Sequence, residues 1–372
     1  MAAESTIATE RERRLLTEAQ AGDESAFRGI VDPYRGELHA HCYRMLGSVQ
    51  DAEDALQESM MRAWRGLGRF EGRSSLRSWL YRIATNTSLN AIEKRPKRVL
   101  PVDYGAASDP RQGPGEPLVE SIWMEPFPDE QFGLDAEIAG PEARYEQREG
   151  VELAFIAALQ HLPANQRAVL ILREVLGFSA NETAETLETS TASVNSALQR
   201  ARATAKERLP EKSQQKTLRA LGDERLSEIV EAYMAAWERN DVDAVVAMLA
   251  GDVSFSMPPL RTWFGGRDAV ATFLAGFPLA GNWRWRPLRV CANGQPALAF
   301  YSWDEDAGSY RPFALNVLSF EGEKVSDVTA FIVRSTQIPN REVLARLPEQ
   351  PADAGRLAAA FERFGLPEEI QA

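Results

Sequence analysis

The stretch "RSSLRSWLYRIATN", residues 73–86, gathers Arg73, Arg77, Trp79, Tyr81, Arg82 and Asn86 into one short run. Guanidinium groups neutralise phosphates, aromatic rings stack on unpaired bases, and a carboxamide hydrogen-bonds a base edge. That is the chemistry of holding a nucleic acid strand rather than of breaking a bond. A second set lies in "TASVNSALQRARATAK", residues 191–206, with Ser193, Asn195, Ser196, Gln199, Arg200, Arg202 and Lys206. Amides and arginines read base edges in a major groove, while hydroxyls and ammonium groups hold phosphates. Metal chemistry has less to work with. The three histidines are His39, His41 and His161, and "HAHC" puts His39, His41 and Cys42 side by side in sequence. On a helix, positions two apart face different ways, so no metal site is expected.

The charge around these residues is segregated. The chain of 372 residues carries a net charge of −12. Yet residues 62–98 hold ten Lys/Arg against two acids, a local charge of +8. Residues 99–150 hold three arginines, twelve acids and seven prolines, a local charge of −9. A basic, aromatic block runs directly into an acidic, proline-rich one. The two cysteines, Cys42 and Cys291, stand far apart, which fits a reducing compartment and no disulfide framework. The start, "MAAESTIATERERR", lacks the apolar core of a signal peptide. No run nears the roughly 18 apolar residues of a membrane span. A cytoplasmic protein with no membrane contact is expected, with no cofactor.

The positioning elements follow from periodicity. In "DAEDALQESMMRAWRGL", Ala52, Ala55, Leu56, Met60 and Ala63 recur at helical spacing, with Ser48 and Asp51 as start signals. "GRFEGR" is a glycine-bounded loop, and the helix from Ser74 runs to Pro96. Its buried face is expected to carry Leu76, Leu80, Ile83 and Thr87, with Trp79, Arg82 and Asn86 on one flank and Arg77 and Tyr81 on the other side. Residues 10–98 therefore read as one helical domain. Residues 99–150 read as an acidic linker, with "LVESIWMEPFPDE" as an ordered patch. Residues 151–210 carry four helices, broken at Pro163 and Gly177, then by the turn "ETS". Ser179 with Glu182 three residues on forms a capping box. The last two of these helices make a helix-turn-helix, with Val194, Ala197, Leu198, Ala201 and Ala205 on the inner face.

Residues 222–335 change character. Two helices precede the strand-like runs "DVSFSM", "WRWRPLRV", "ALAFYSW", "FALNVLSF" and "KVSDVTAFIV", separated by turns such as "NGQP" and "EGEK". This is an α+β domain with a curved antiparallel sheet. It contains no histidine, and Asp252, Tyr301, Asp304 and Asp327 form no acid–base pair at a committed spacing, so no enzyme is expected. Residues 336–372 read as a helical tail.

The run from "FRGIVDPYRGELHAHCYRMLGSVQDAEDALQE" through "AWRGLGRFEGRSSLRSWLYRIATN" resembles domain 2 of sigma-70 family factors of the extracytoplasmic-function type. "LPANQRAVLILREVLGFSANETAETLETSTASVNSALQRARA" resembles their domain 4. Residues 222–335 resemble the cone-shaped SnoaL-like fold, on element order together with "WERNDVDAVVAML" and "DVSFSMPP". The resemblance implies a multidomain chain: two all-α sigma domains followed by an α+β SnoaL-like curved-sheet domain. It implies a transcription initiation factor. Asp54, Gln57 and Glu58, with Asp51 and Glu53 beside them, are implied to meet the β′ coiled coil of core RNA polymerase, and domain 4 the β flap. Phe70, Arg73 and Arg77, then Trp79, Tyr81, Arg82 and Asn86, are implied to recognise and open the −10 element of promoter DNA. The helix carrying Ser193 to Lys206 is implied to read the −35 element. The acidic segment is implied to thread the polymerase toward its active-site and RNA-exit channels. The third domain is expected to regulate in cis, which puts control by a separate anti-sigma factor in doubt. Its cone leaves room for a small-molecule ligand, bound or converted.

Overall fold

The computed structural model describes residues 2–115, 122–132, 148–210, 212–333 and 360–372. The chain divides into two compact units. The first takes Met1–Lys97 and Ala158–Arg208, and the second takes Arg98–Asp129, Tyr145–Ala157 and Leu209–Ala372.

The first unit is helical. α1 (Ala2–Gln20), α2 (Glu24–Val31), α3 (Arg35–Leu46), α4 (Val49–Gly66) and α5 (Leu76–Ile92) form its first part. Asp23 caps α2 by accepting from the Ser25 and Ala26 amides, Ser48 caps α4 through the Asp51 amide, and Ser75 caps α5 through the Ser78 amide. α3 is the central element: Leu38, Cys42, Tyr43 and Met45 are wholly buried. After α6 (Leu153–Gln160), of which Leu153–Ala157 count with the second unit, α7 (Ala164–Leu170) runs on through a π turn, Ile171–Val175. The extra residue in that turn is invisible to a 3.6-residue pattern. Gly177, at φ +70°, ends this run. α8 (Ala180–Thr186) and α9 (Thr191–Lys206) are the helix-turn-helix. The Ser179–Glu182 capping box closes at 2.8 and 3.1 Å, and Glu188 takes the left-handed φ of +51° in the intervening turn.

The second unit is built on six strands: β1 (Leu249–Ser256), β2 (Trp263–Gly265), β3 (Trp285–Ala292), β4 (Gln295–Asp304), β5 (Ser309–Glu321) and β6 (Lys324–Ile332). Their order is β2-β1-β6-β5-β4-β3. All pairings are antiparallel except β1 with β6, so the sheet is mixed where an antiparallel one was expected. Hydropathy alternation cannot report strand direction, and the three-residue β2 is too short to register in it. Register shifts at Phe300/Tyr301 and Ser319/Phe320 bend the sheet. α10 (Gln214–Leu221), α11 (Asp223–Glu238), α12 (Val242–Ala247) and α13 (Arg267–Gly276) accompany it. An aromatic core fills the curve, with Trp237 against Phe300 at 4.8 Å and Trp283 stacked on Trp285 at 5.2 Å.

The acidic segment is built into this second unit. Val99 pairs with Trp123 in a parallel bridge, and Arg98 donates to the Trp123 carbonyl at 3.2 Å. Phe127 is fully buried. Most of the expected tail, including "PEQPADAG", and residues 118–121 of the expected linker patch lie outside the described residues. At the end of the chain, Phe361 packs edge-on to Tyr301 at 5.3 Å, and Tyr310 exchanges backbone hydrogen bonds with Ile370.

Candidate functional site

Three surfaces carry the residues singled out from the sequence. The first is α4. Its apolar side, Ala52, Ala55, Leu56 and Ala63, is buried, which turns Glu53, Asp54 and Gln57 to solvent and leaves Glu58 half-buried. Glu58 pairs with Arg62 one turn on, at 2.7 Å. Asp51 departs from the set: it is 6% exposed and ion-paired with Arg95, which also reaches Asp54 at 3.5 Å. Asp51 ties the end of the α5 segment to α4, and its charge is spent inside the protein.

The second surface is the loop after α4 together with α5. Gln20 donates to the Leu67 and Phe70 carbonyls at 3.2 and 2.9 Å, fixing that loop. Phe70 packs on Trp79 at 5.0 Å. Arg73 is exposed and bonded to Glu71 at 2.7 Å. Arg82 is exposed, and Asn86 is half-buried beside it. Two residues expected to face DNA are buried in this structure. Trp79 is 8% exposed, and Tyr81 is wholly buried. The Tyr81 hydroxyl donates to Glu37 Oε2 at 3.0 Å, and burial, reinforced by the Glu37 charge, pushes its pKa up. Arg77 pairs with the same Glu37 at 3.2 Å, and its guanidinium lies 4.8 Å over the Tyr81 ring and 5.4 Å over that of Phe178. Phe178, just before the helix-turn-helix, also meets Tyr81 edge-on at 5.5 Å. A helical wheel cannot show this contact, because it joins residues far apart in sequence.

The same part of the unit is fastened by Arg167. It is 5% exposed and donates to the Met45 carbonyl, to Gln160 Oε1 at 2.6 Å, and to the Gln160 and Leu162 carbonyls at 3.2 Å. Burial lowers its pKa only to about 10, so it stays charged at neutral pH. His41 is bonded to Thr85 at 2.9 Å, and burial holds its pKa down at about 3. Burial pushes the Cys42 thiol up to about 12. The "HAHC" residues are core side chains, and no metal-binding cluster occurs among the described residues.

The third surface is α9. Val194, Leu198, Ala201 and Ala205 are buried, leaving Ser193, Asn195, Ser196, Gln199, Arg200, Arg202 and Lys206 exposed. Ser190 caps the helix through the Ser193 amide at 3.1 Å, and its hydroxyl meets that of Ser193 at 2.9 Å. Arg202 is drawn toward Glu174, its Nε donating at 3.1 Å. Two amides, two arginines and a lysine thus lie on the solvent side of α9, opposite its buried residues, a form suited to a groove.

In the second unit, Asp252 is exposed, while the Tyr301 hydroxyl donates to the Pro367 carbonyl at 2.7 Å. Asp304 caps a turn by accepting from the Asp306 and Ala307 amides. Asp327 accepts from Ser254 and Thr329, and burial pushes its pKa up. Tyr301, Asp304 and Asp327 are thus engaged in separate structural bonds.

The sequence signal missed the clamp on the acidic segment. Asn293, at φ +57°, exchanges hydrogen bonds with Phe127: each backbone or side-chain contact is 2.9 Å. Its Nδ2 also donates to the Val151 carbonyl at 2.9 Å. The Gly294 amide donates to Asp129 Oδ1 at 2.7 Å, and Gln295 Oε1 accepts from the Leu153 amide at 2.8 Å. Trp263 Nε1 donates to the Gly105 carbonyl at 2.8 Å, and Thr262 to that of Pro114 at 2.6 Å. "NGQP" reads as a hairpin turn in sequence; its second use has no local signature.

Models of known families match three stretches: sigma-70 region 2 over residues 30–98, sigma-70 region 4 over 152–204, and a SnoaL-like domain over 230–328. The chain is 40% identical over 336 residues to the ECF RNA polymerase sigma factor SigG of Mycobacterium tuberculosis, covering 88% of this chain and 86% of SigG. Its fold is that of the extracytoplasmic function sigma factor SigJ of Mycobacterium tuberculosis, at 23% identity and a TM-score of 0.51, covering 83% of this chain and 96% of SigJ. Another match is RpoE of Bartonella quintana, crystallised with the anti-sigma factor NepR, at 23% identity and a TM-score of 0.32, covering 49% of this chain and 94% of RpoE. The doubt that the third domain was expected to cast on a separate anti-sigma factor finds no support among the relatives.

Proposed function

The chain belongs to the ECF RNA polymerase sigma factors, which bind core polymerase and promoter DNA to initiate transcription, and from that membership we propose a division of labour among its residues. Glu53, Asp54, Gln57 and Glu58 on α4 meet the polymerase. Phe70, Arg73, Arg82 and Asn86 meet the −10 element, and the exposed face of α9 reads the −35 element. Trp79, Tyr81 and Arg77 take part only after the packing against Phe70, Glu37 and Phe178 has been undone, because stacking on a base needs a free ring face.

The C-terminal domain regulates in cis through the acidic segment. The observation that carries this reading is the Asn293–Gly294 turn, which binds Phe127, Asp129 and Val151 together. A segment held in that turn is not free to thread a polymerase channel. A clamp of a few kcal/mol is enough, since each 1.4 kcal/mol is about tenfold in population. The test is full-length Asn293→Ala in run-off transcription with core polymerase. Loss of the two Asn293 side-chain hydrogen bonds and an unfavourable φ for alanine should free the segment, raise transcript yield several-fold and leave core affinity unchanged. Unaltered yield refutes cis regulation through this clamp, and a fall in yield reverses its sign.

A further inference from the structure

α4 changes sign along its length. Residues 51–58 hold four acids and no lysine or arginine, whereas residues 59–70 hold three arginines, Arg62, Arg65 and Arg69, and no acid. The Glu58–Arg62 pair at 2.7 Å marks the boundary. The acidic half carries the surface assigned to the polymerase. The basic end runs through the 3₁₀ turn Leu67–Arg69 into the Phe70 loop, and Arg65 and Arg69 have no part in that assignment.

That end is firmly held. Trp64 packs on Phe27 at 5.1 Å, Leu67 is buried, and Phe70 packs on Trp79 at 5.0 Å. Gln20 holds the Leu67 and Phe70 carbonyls. With positions 64, 67 and 70 packed against the protein, Arg65, Gly68 and Arg69 are exposed. A Cβ added at Gly68 would meet nothing within 4 Å, so the surface between the two arginines is open. Other guanidiniums of this basic block are tied up internally: Arg62 with Glu58, Arg73 with Glu71, Arg77 with Glu37, and Arg95 with Asp51. Arg65 and Arg69 make no ion pair among the described residues. Arg65 also suits the negative C-terminal end of α4, but Arg69 lies beyond that helix.

We propose that Arg65 and Arg69 clamp the sugar–phosphate backbone of the promoter strand whose −10 bases the adjoining Phe70 surface takes, with Gly68 as the floor between them. This clamp presupposes the −10 assignment of Phe70 and Arg82. Four residues apart across a helix end, the two arginines are offset by about 6–8 Å, some two steps of a strand that carries one charge per roughly 3.4 Å. Cations on phosphates fix the register of a strand without reading its sequence. A glycine between them lets that backbone approach closely.

The test is fluorescence anisotropy of a labelled promoter fragment, one that yields a run-off transcript, titrated with the full-length protein on core polymerase across a salt series. Arg65→Ala with Arg69→Ala should weaken binding roughly tenfold or more at about 0.1 M salt, and should reduce the slope of log affinity against log salt by about two. Arg65→Lys with Arg69→Lys should keep both near wild type, since a phosphate accepts a point charge, whereas a base-reading fork does not survive the exchange. Gly68→Glu, which the open surface admits, should repeat the loss by repulsion, and it decides the matter if the double alanine variant misfolds. Core affinity should be the same throughout. An unchanged slope, a loss that lysine fails to prevent, or a parallel loss of core affinity overturns the clamp. Arg82→Ala on the same fragment separates the two assignments. If it weakens binding and the Arg65 and Arg69 variants do not, the clamp alone fails; if none of them matters, the −10 assignment fails with it.

Discussion

Arg82 and Trp79 lie three positions apart on α5 and have opposite exposures, which separates their roles. Arg82→Ala should lower promoter affinity, with the slope of log affinity against log salt reduced by about one, and leave stability within about 0.5 kcal/mol. Trp79→Ala should instead cost about 3 kcal/mol in urea denaturation, because the ring packs on Phe70 and only 8% of the residue is exposed. A fall in strand opening without loss of stability would return Trp79 to the DNA-contacting set. Asp129 gives a test in pH. Burial is the leading cause that raises its pKa to about 6, against the lowering effects of the Gly294 amide and Arg148, and Glu152 is likewise raised to about 7. Unfolded carboxyls titrate near 4. The unfolded chain therefore ionises first, and stability falls as pH rises from about 4 to about 7, then levels. Asp129→Asn should match the wild type near pH 4 and exceed it by up to about 3 kcal/mol at pH 8. Equal stabilities at both pH values would show that the carboxyl is not effectively buried.

At the scale of elements, α4 and α9 were legible because each is a two-sided helix, and a 3.6-residue period reports which side is wet. The apolar sides of both are buried as their spacing requires. The limit appeared wherever a residue's fate depends on something distant in sequence. Asp51 shares the acidic pattern of its neighbours, yet Arg95 takes it inward. Tyr81 shares the pattern of a stacking ring, yet Glu37 and Phe178 enclose it. The parallel pairing of β1 with β6 is of the same kind. Within α4, Gln57→Ala with Glu58→Ala should weaken core binding at least tenfold while circular dichroism stays unchanged. Unchanged affinity would remove α4 from the polymerase contact. Asp51→Ala should do the reverse, keeping core affinity while destabilising the fold by about 1 kcal/mol, since it removes one of the two carboxylates that hold the partly exposed Arg95.

Taken whole, the chain does not divide at the points where its sequence changes character. Residues 99–129 have the composition of a free linker, yet they are part of the second unit. The reason is specific: Val99 and Trp123 bridge each other, Trp263 bonds Gly105 and Ser108, and Asn293 in the β3–β4 turn bonds the buried Phe127. Truncation after Leu209, the obvious way to isolate the sigma domains, removes those partners. The truncated chain should bind anilinonaphthalene sulfonate several-fold more strongly than the full chain and show lower solubility. If it does not, the segment has found another burial site.

The clamp also has a history within each molecule. Phe127 is made early, and the Asn293–Gly294 turn that buries it is made about 165 residues later. At ribosomal rates of roughly 5–20 residues per second, that interval is about 8–33 s. During it, both sigma domains can emerge complete while the segment joining them has only its internal Val99–Trp123 pairing to hold it. A newly made copy thus passes through a period of release that a finished copy has left behind, and the age of the chain becomes a variable alongside its amount.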